Sequence, residues 1–264
     1  MTVKDHGIEE LTKFGVEVIR QSGDEALSFY GKGKSDRKFD DGLVTEAELH
    51  LAEFFQDQIQ ANFPDHQVFK NIQKKKAYTH EEERYLWVYD PLDGVANFQA
   101  GIPVWAISIA LLENFWPVFG AVYMPATGDL FHAQAGGRAF LGEKEIDVSS
   151  QDNLNDESLL LTYSRFHQDY HSNFPGKIRD FGCTSAHLCY VAMGRAEAAI
   201  IANESFQGLA ANRIIIEAAG GDIIKMDGNE FFLNEYLDGL KVRDHLLAGT
   251  REIFPQVREC LKQI

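Results

Sequence analysis

Residues 87–98 read WVYDPLDGVANF, with two aspartates set three positions apart around a proline and directly before a glycine. Asp90 closes an apolar run, Pro91 fixes the backbone, and Asp93 returns inside the same tight turn, so two carboxylates are expected to point into one small volume. Gly94 lets backbone come close to a ligand, and the residues from Val95 to Phe98 can open a helical turn whose free amides attract an anion. Carboxylates hold cations and amides hold phosphate, which is the division of labour of a metal-assisted phosphatase. The same residue types also make a plain turn in which Asp90 and Asp93 cap backbone amides.

Both readings need rigid elements around the turn. Ile8, Leu11, Gly15, Val18 and Ser22 recur at helical spacing, and a second helix is expected from near Thr45, with Leu51, Phe55 and Ile59 on one face. Residues 66–83, with lysines at 74–76 and glutamates at 81–83, are polar and aperiodic and predict a mobile surface loop. Segments 85–89, 105–112, 118–123 and 130–133 are rich in β-branched and aromatic residues broken by Gly and Pro, which predicts an antiparallel meander. After Ser149 strands and helices alternate: strand 159–163, helix 184–193, strand 198–202, helix 209–219, strands near Ile223 and Leu246, and a closing helix 251–261. The change divides the chain into an N-terminal α+β half, 1–149, carrying the acidic turn, and a C-terminal α/β half, 150–264, packed against it as one globular unit.

With 264 residues, 45% of them hydrophobic, the chain can fill a large core. Forty acidic against 25 basic residues give a net charge of −15, which argues against nucleic acid and anionic membranes as partners and makes cations natural counter-charges. Cys183, Cys189 and Cys260 show no paired spacing, so neither a disulfide framework nor a zinc knuckle is expected. The start of the chain carries no apolar leader, and no run approaches the roughly 18 apolar residues of a membrane span, so a cytoplasmic location is expected. His167 and His171 stand four apart and would share a face if helical, but no third zinc ligand accompanies them. Cys183 falls at an expected helix start and reads as a small buried residue, and Ser185 lacks a nucleophile elbow.

Around the acidic turn the sequence resembles the inositol monophosphatase family. The family's D-P-I/L-D-G-T, N-F, G-x-P and V/I-S-I-A-L motifs are matched by Asp90 to Gly94, Asn97 with Phe98, Gly101 to Pro103, and Ile107 to Leu111. The likeness continues through GLVTEAE from Gly42, GAVYMP from Gly120, AGGRAF from Ala135, RDFGCTSAHLCYVAMGR from Arg179 and EAAGG from Glu217. It implies a layered αβαβα sandwich of the inositol monophosphatase and fructose-1,6-bisphosphatase type, commonly dimeric, hydrolysing a sugar or inositol phosphomonoester with water activated on Mg²⁺. It also implies metal-ligand roles for Asp90, the Leu92 carbonyl, Asp93 and Glu48, with Asp90 and Asp93 catalytic, and a phosphate or substrate role for Gly94, Val95 and Arg179. Arg179 has the alternative use of a structural ion pair, and Glu48 that of closing a capping box on Thr45.

Several positions depart from the family pattern. Where the family has a Glu-Glu pair before the acidic strand, this chain has Lys70 and Asn71; where a metal-binding aspartate follows tryptophan, it has Gly208 after Gln207. The water-orienting threonine is Val95 and a substrate-binding glutamate is Ile201, neither of which hydrogen-bonds through its side chain. Two Mg²⁺ ions bring four positive charges that Asp90 and Asp93 alone cannot balance, so at most one weakly held ion is expected. Lys70 either places its ammonium in the metal space or points to water. The first expectation is therefore a family member that binds a phosphorylated small molecule with weak or absent hydrolysis; Lys70→Glu with Gly208→Asp should then restore ion binding. The alternative is a working Mg²⁺-dependent phosphomonoesterase whose 71–83 segment supplies replacement ligands, Asn71 and the glutamates at 81–83. A scaffolding subunit for an active homologue is a third.

Overall fold

The computed structural model describes residues 7–32, 41–69, 85–237 and 241–264, with only the helical backbone given for 41–45. Two helices lead, α1 (Ile8–Leu27) and α2 (Asp41–Asn62), followed by β1 (Gln67–Val68), β2 (Tyr85–Asp93) and the short α3 (Val95–Ala100). Strands β3 (Ala106–Glu113), β4 (Trp116–Met124), β5 (Asp129–Gln134), β6 (Ala139–Leu141) and β7 (Lys144–Ile146) complete a seven-stranded sheet in sequence order. It is the expected antiparallel meander, extended by β6 and β7 and by β1, which pairs parallel to β2 inside the segment read as loop. Residues 70–84, including Lys70, Asn71 and the glutamates at 81–83, lie outside the described residues.

The second half contributes β8 (Leu159–Leu161), α4 (Phe166–Asp169), β9 (Tyr170–Ser172), β10 (Lys177–Arg179), α5 (Thr184–Ala192), β11 (Ala198–Ile201), α6 (Phe206–Ala218), β12 (Asp222–Lys225), β13 (Leu246–Gly249), α7 (Phe254–Glu259) and β14 (Leu261–Gln263). Its five-stranded sheet runs β10-β8-β11-β13-β12, and β10, β8 and β11 are mutually parallel. The closing helix is shorter than its pattern suggested, because the chain after Cys260 turns into β14 and pairs with β9. The same pairing separates His167, on α4, from His171, on β9, so they share no helix face.

Period-two alternation explains the layers. In the first sheet Tyr85, Trp87, Tyr89, Ile107, Ile109 and Leu111 face α1 and α2, while Leu86, Val88, Ala106, Ala110 and Leu112 face the other way. That second face shares a core with α5 and α6 and with Leu161, Ala199, Ile201, Leu246 and Ala248 of the second sheet. The remaining face of the second sheet, Leu160, Ala198, Ile200 and Leu247, packs with Phe166 of α4 and with Phe254 and Val257 of α7. The result is the expected αβαβα sandwich, with α5 and α6 as its central layer. No helix among the described residues is long and apolar enough to cross a membrane.

Candidate functional site

Residues three apart on a regular strand point to opposite faces. Between Asp90, opposite Ser108, and Asp93, opposite Ala106, β2 has one residue more than β3, and this bulge returns both aspartates to one face. Pro91, which has no amide to offer a ladder, suits the interruption. The strand thus continues through Asp93, where a tight turn after Asp90 was expected. The Leu92 side chain drops into the core beneath α1 and α2, and the two carboxylates face the central helices.

Asp93 meets the start of α5: Oδ2 accepts the Ser185 amide at 2.6 Å and Oδ1 the Thr184 amide at 3.4 Å. A carboxylate there satisfies free helix amides and complements the helix dipole. Asp90 is less well served, since Oδ1 accepts the Leu92 amide at 3.4 Å. Burial, then the charge of Asp93, push the Asp90 carboxyl up to about 7, against the pull of that amide, and Glu48 adds further repulsion. Glu48 lies half-buried on α2, its own carboxyl raised by burial. Because α2 begins at Asp41, Thr45 is one turn inside the helix and is not its N-cap.

The acidic residue that the sequence reading overlooked is Glu204. It precedes Ser205, the N-cap of α6, whose Oγ accepts the Gly208 amide at 3.0 Å. A Cβ on Gly208 would stand 2.8 Å from Glu204 Oε2 and 3.2 Å from Asp90 Oδ2. Glu204 therefore occupies the space of the side chain that position 208 lacks. Its Oε1 accepts the Thr184 hydroxyl at 2.5 Å. Burial, followed by the charge of Asp93, raises the Glu204 carboxyl, while the Thr184 bond lowers it and Asp90 raises it further. Its reach to Gly208 follows from the cap at Ser205, because α6 starts three residues earlier than its apolar pattern did.

The turn after Asp93 is formed. Gly94, at φ +82°, caps α3, and a Cβ there would meet the Val104 carbonyl at 2.9 Å and Cys183 Cβ at 3.0 Å. Asn97 clamps the turn to its neighbours, donating from Nδ2 to the Val104 carbonyl at 2.7 Å and to the Phe181 carbonyl at 2.6 Å. Val95 packs on the α1–α2 core and Ile201 is buried at the end of β11, so both are apolar positions in fact as in sequence. Arg179 ends β10 exposed, donating to the Ile178 carbonyl at 2.8 Å, and pairs with neither aspartate. Cys183 is buried, and burial and Asp93 raise its thiol, consistent with a packing role.

A divalent cation finds a partial donor set. Among the described residues no three His, Cys, Asp or Glu side chains are grouped so as to hold a metal ion, and both Asp93 oxygens are engaged by α5. A centre with two ions does not fit these residues. Asp90 and Glu204, which flank one point beside Gly208, are the hard-oxygen pair that would hold a single ion.

Comparison with known proteins agrees with this architecture. The model of the inositol monophosphatase family matches residues 8–255. Inositol-1-monophosphatase of Caulobacter vibrioides is 33% identical over 69% of this chain and 73% of its own length. Fructose-1,6-bisphosphatase/inositol-1-monophosphatase of Thermotoga maritima is 27% identical over 92% of this chain and 97% of its own. The solved structure of a Thermotoga maritima IMPase superposes with a TM-score of 0.77 over 96% of each chain at 23% identity, a likeness of fold.

Proposed function

The chain belongs to the inositol monophosphatase family, and from that premise we propose that it binds a phosphorylated small molecule at the Gly94 turn and hydrolyses it weakly or not at all. The observation that carries this reading is the bare α6 turn at Gly208, where the family's metal-binding aspartate is missing and no third donor joins Asp90 and Glu204 among the described residues. The amides of Gly94 and Val95 would receive the phosphate, and Asn97 holds their turn in place. Arg179 stands at the carboxyl edge shared by β10 and β11 as an exposed counter-charge for the ester. Asp90 and Glu204 would hold Mg²⁺, which when bound polarises phosphate oxygens and acidifies its water. With valine at position 95, no side-chain hydroxyl orients an attacking water there.

The test is calorimetry with inositol 1-phosphate and fructose 1,6-bisphosphate in Mg²⁺, paired with a phosphate-release assay. Binding with turnover at least ~100-fold below the usual enzyme range of about 1–10³ s⁻¹ is expected. Turnover inside that range overturns the reading.

It would favour the second one, a working hydrolase completed from residues 71–83. One contact supports that alternative: the Phe69 ring lies tilted against that of Phe206 with centroids 5.0 Å apart, so Phe69, which leads into that segment, sits beside the first turn of α6. The family's tendency to pair gives a homodimer as a further proposal, for which light scattering should read about twice the mass of one chain.

A further inference from the structure

Position 208 carries no side chain, and a carboxylate from just before the α6 cap stands in that space. Ser205 is the N-cap of α6, so Glu204 stands just outside the helix, and its Oε2 reaches over the first turn to Gly208. The Thr184 hydroxyl fixes Glu204 Oε1, which leaves Oε2 beside the point where a Gly208 Cβ would sit, with Asp90 Oδ2 on the other side of that point.

Asn212 supplies an independent observation one turn further along the same face of α6. It has no exposed surface, and its Nδ2 donates to the Gly208 carbonyl at 2.7 Å and to Ser185 Oγ at 3.0 Å. Its Oδ1 has no hydrogen-bond partner among the described residues. A buried acceptor left unpaired is costly, and this one belongs to the side chain that holds the Gly208 carbonyl.

We propose that Glu204 replaces the missing carboxylate of position 208 and that Asp90 and Glu204 together hold one hard divalent cation beside Gly208. The inference rests on the reading of this site as a reduced member of its family, but not on whether any ester is hydrolysed. Side chains at 204 and 208 are then alternative occupants of one space. A lone Gly208→Asp drives its carboxylate against Glu204.

The experiment is Mn²⁺ and Mg²⁺ binding by calorimetry on the full chain, with thermal midpoints recorded for each variant and no substrate present. The unsubstituted protein should take up one ion per chain, and Glu204→Gln, which keeps its bond to Thr184, should weaken Mn²⁺ at least ~10-fold with its thermal midpoint retained. Gly208→Asp alone should lower the midpoint and bind no more tightly. Glu204→Ala combined with Gly208→Asp should recover both midpoint and ion. Absence of Mn²⁺ binding by the unsubstituted chain overturns the proposal. So does undiminished binding by Glu204→Gln, or tighter binding by Gly208→Asp with its midpoint intact. Phosphate release, measured separately, decides the fate of the functional reading without touching this one.

Discussion

Asp90 and Asp93 leave the same bulge of β2 and enter opposite kinds of surroundings. On the α5 side the hydrogen bonds are complementary: two helix amides reach Asp93, Gly94 lies against Cys183, and Asn97 bridges two carbonyls. On the α6 side like charges crowd together, with Glu204 and Asp90 flanking a glycine and burial raising both carboxyls. The α5 side is thus held by a set of hydrogen bonds around Asp93 and Asn97, whereas on the α6 side two buried carboxyls share little beyond the Thr184 bond to Glu204.

That contrast is broken most directly at Gly94. Gly94→Ala adds a β-carbon at positive φ and against both the Val104 carbonyl and Cys183, and it should cost about 3–4 kcal/mol in urea unfolding. Asp93→Ala strips the α5 amides of their acceptor and should cost about 2–3 kcal/mol. Asn97→Ala leaves two carbonyls without their donor, for about 2 kcal/mol. Asp90→Asn should go the other way in cation-free buffer, raising the thermal midpoint by roughly 2–4 °C as repulsion with Asp93 and Glu48 is relieved. If Asp90→Asn proves as destabilising as Asp93→Ala, the two sides are not different in kind.

The layers were legible because alternation and helical spacing are written in apolar residues, from Leu11 and Val18 on α1 to Ile107 and Ile109 on β3. The acidic turn was legible for its composition, though not for its geometry: the bulge that brings Asp90 and Asp93 to one face depends on the register with β3, which no local pattern encodes. Glu204 was missed for a related reason. It belongs to no apolar period, and its importance appears only when the α6 cap at Ser205 sets where it can reach. Asn97 looked like part of a motif, but its task, gripping Phe181 from 84 positions away, is a tertiary fact. β14 and β9, three residues each, are too short to outweigh the helical pattern of residues 251–261.

The smallest effect expected on the α5 side concerns His187, which is 3% exposed and accepts the Phe181 amide at Nε2 over 2.9 Å. Burial lowers its pKa, and the more distant charges of Asp180 and Asp93 oppose that without reversing it. Protonating Nε2 would remove the acceptor from Phe181, the residue whose carbonyl Asn97 holds. The sign follows from the lowered value. Below the unfolded pKa of about 6.5 the unfolded chain takes up the proton first, so stability is full above that pH and declines as pH falls towards the folded pKa. Comparing urea midpoints at pH 8 and pH 5.5 for the unsubstituted chain and His187→Gln cancels titrations common to both. The unsubstituted chain should lose more on acidification, by about 0.5–1.5 kcal/mol, the worth of one buried hydrogen bond. Equal losses would mean that the Phe181 amide is held by the surrounding packing and the clamp at Asn97, with the imidazole a passive neighbour.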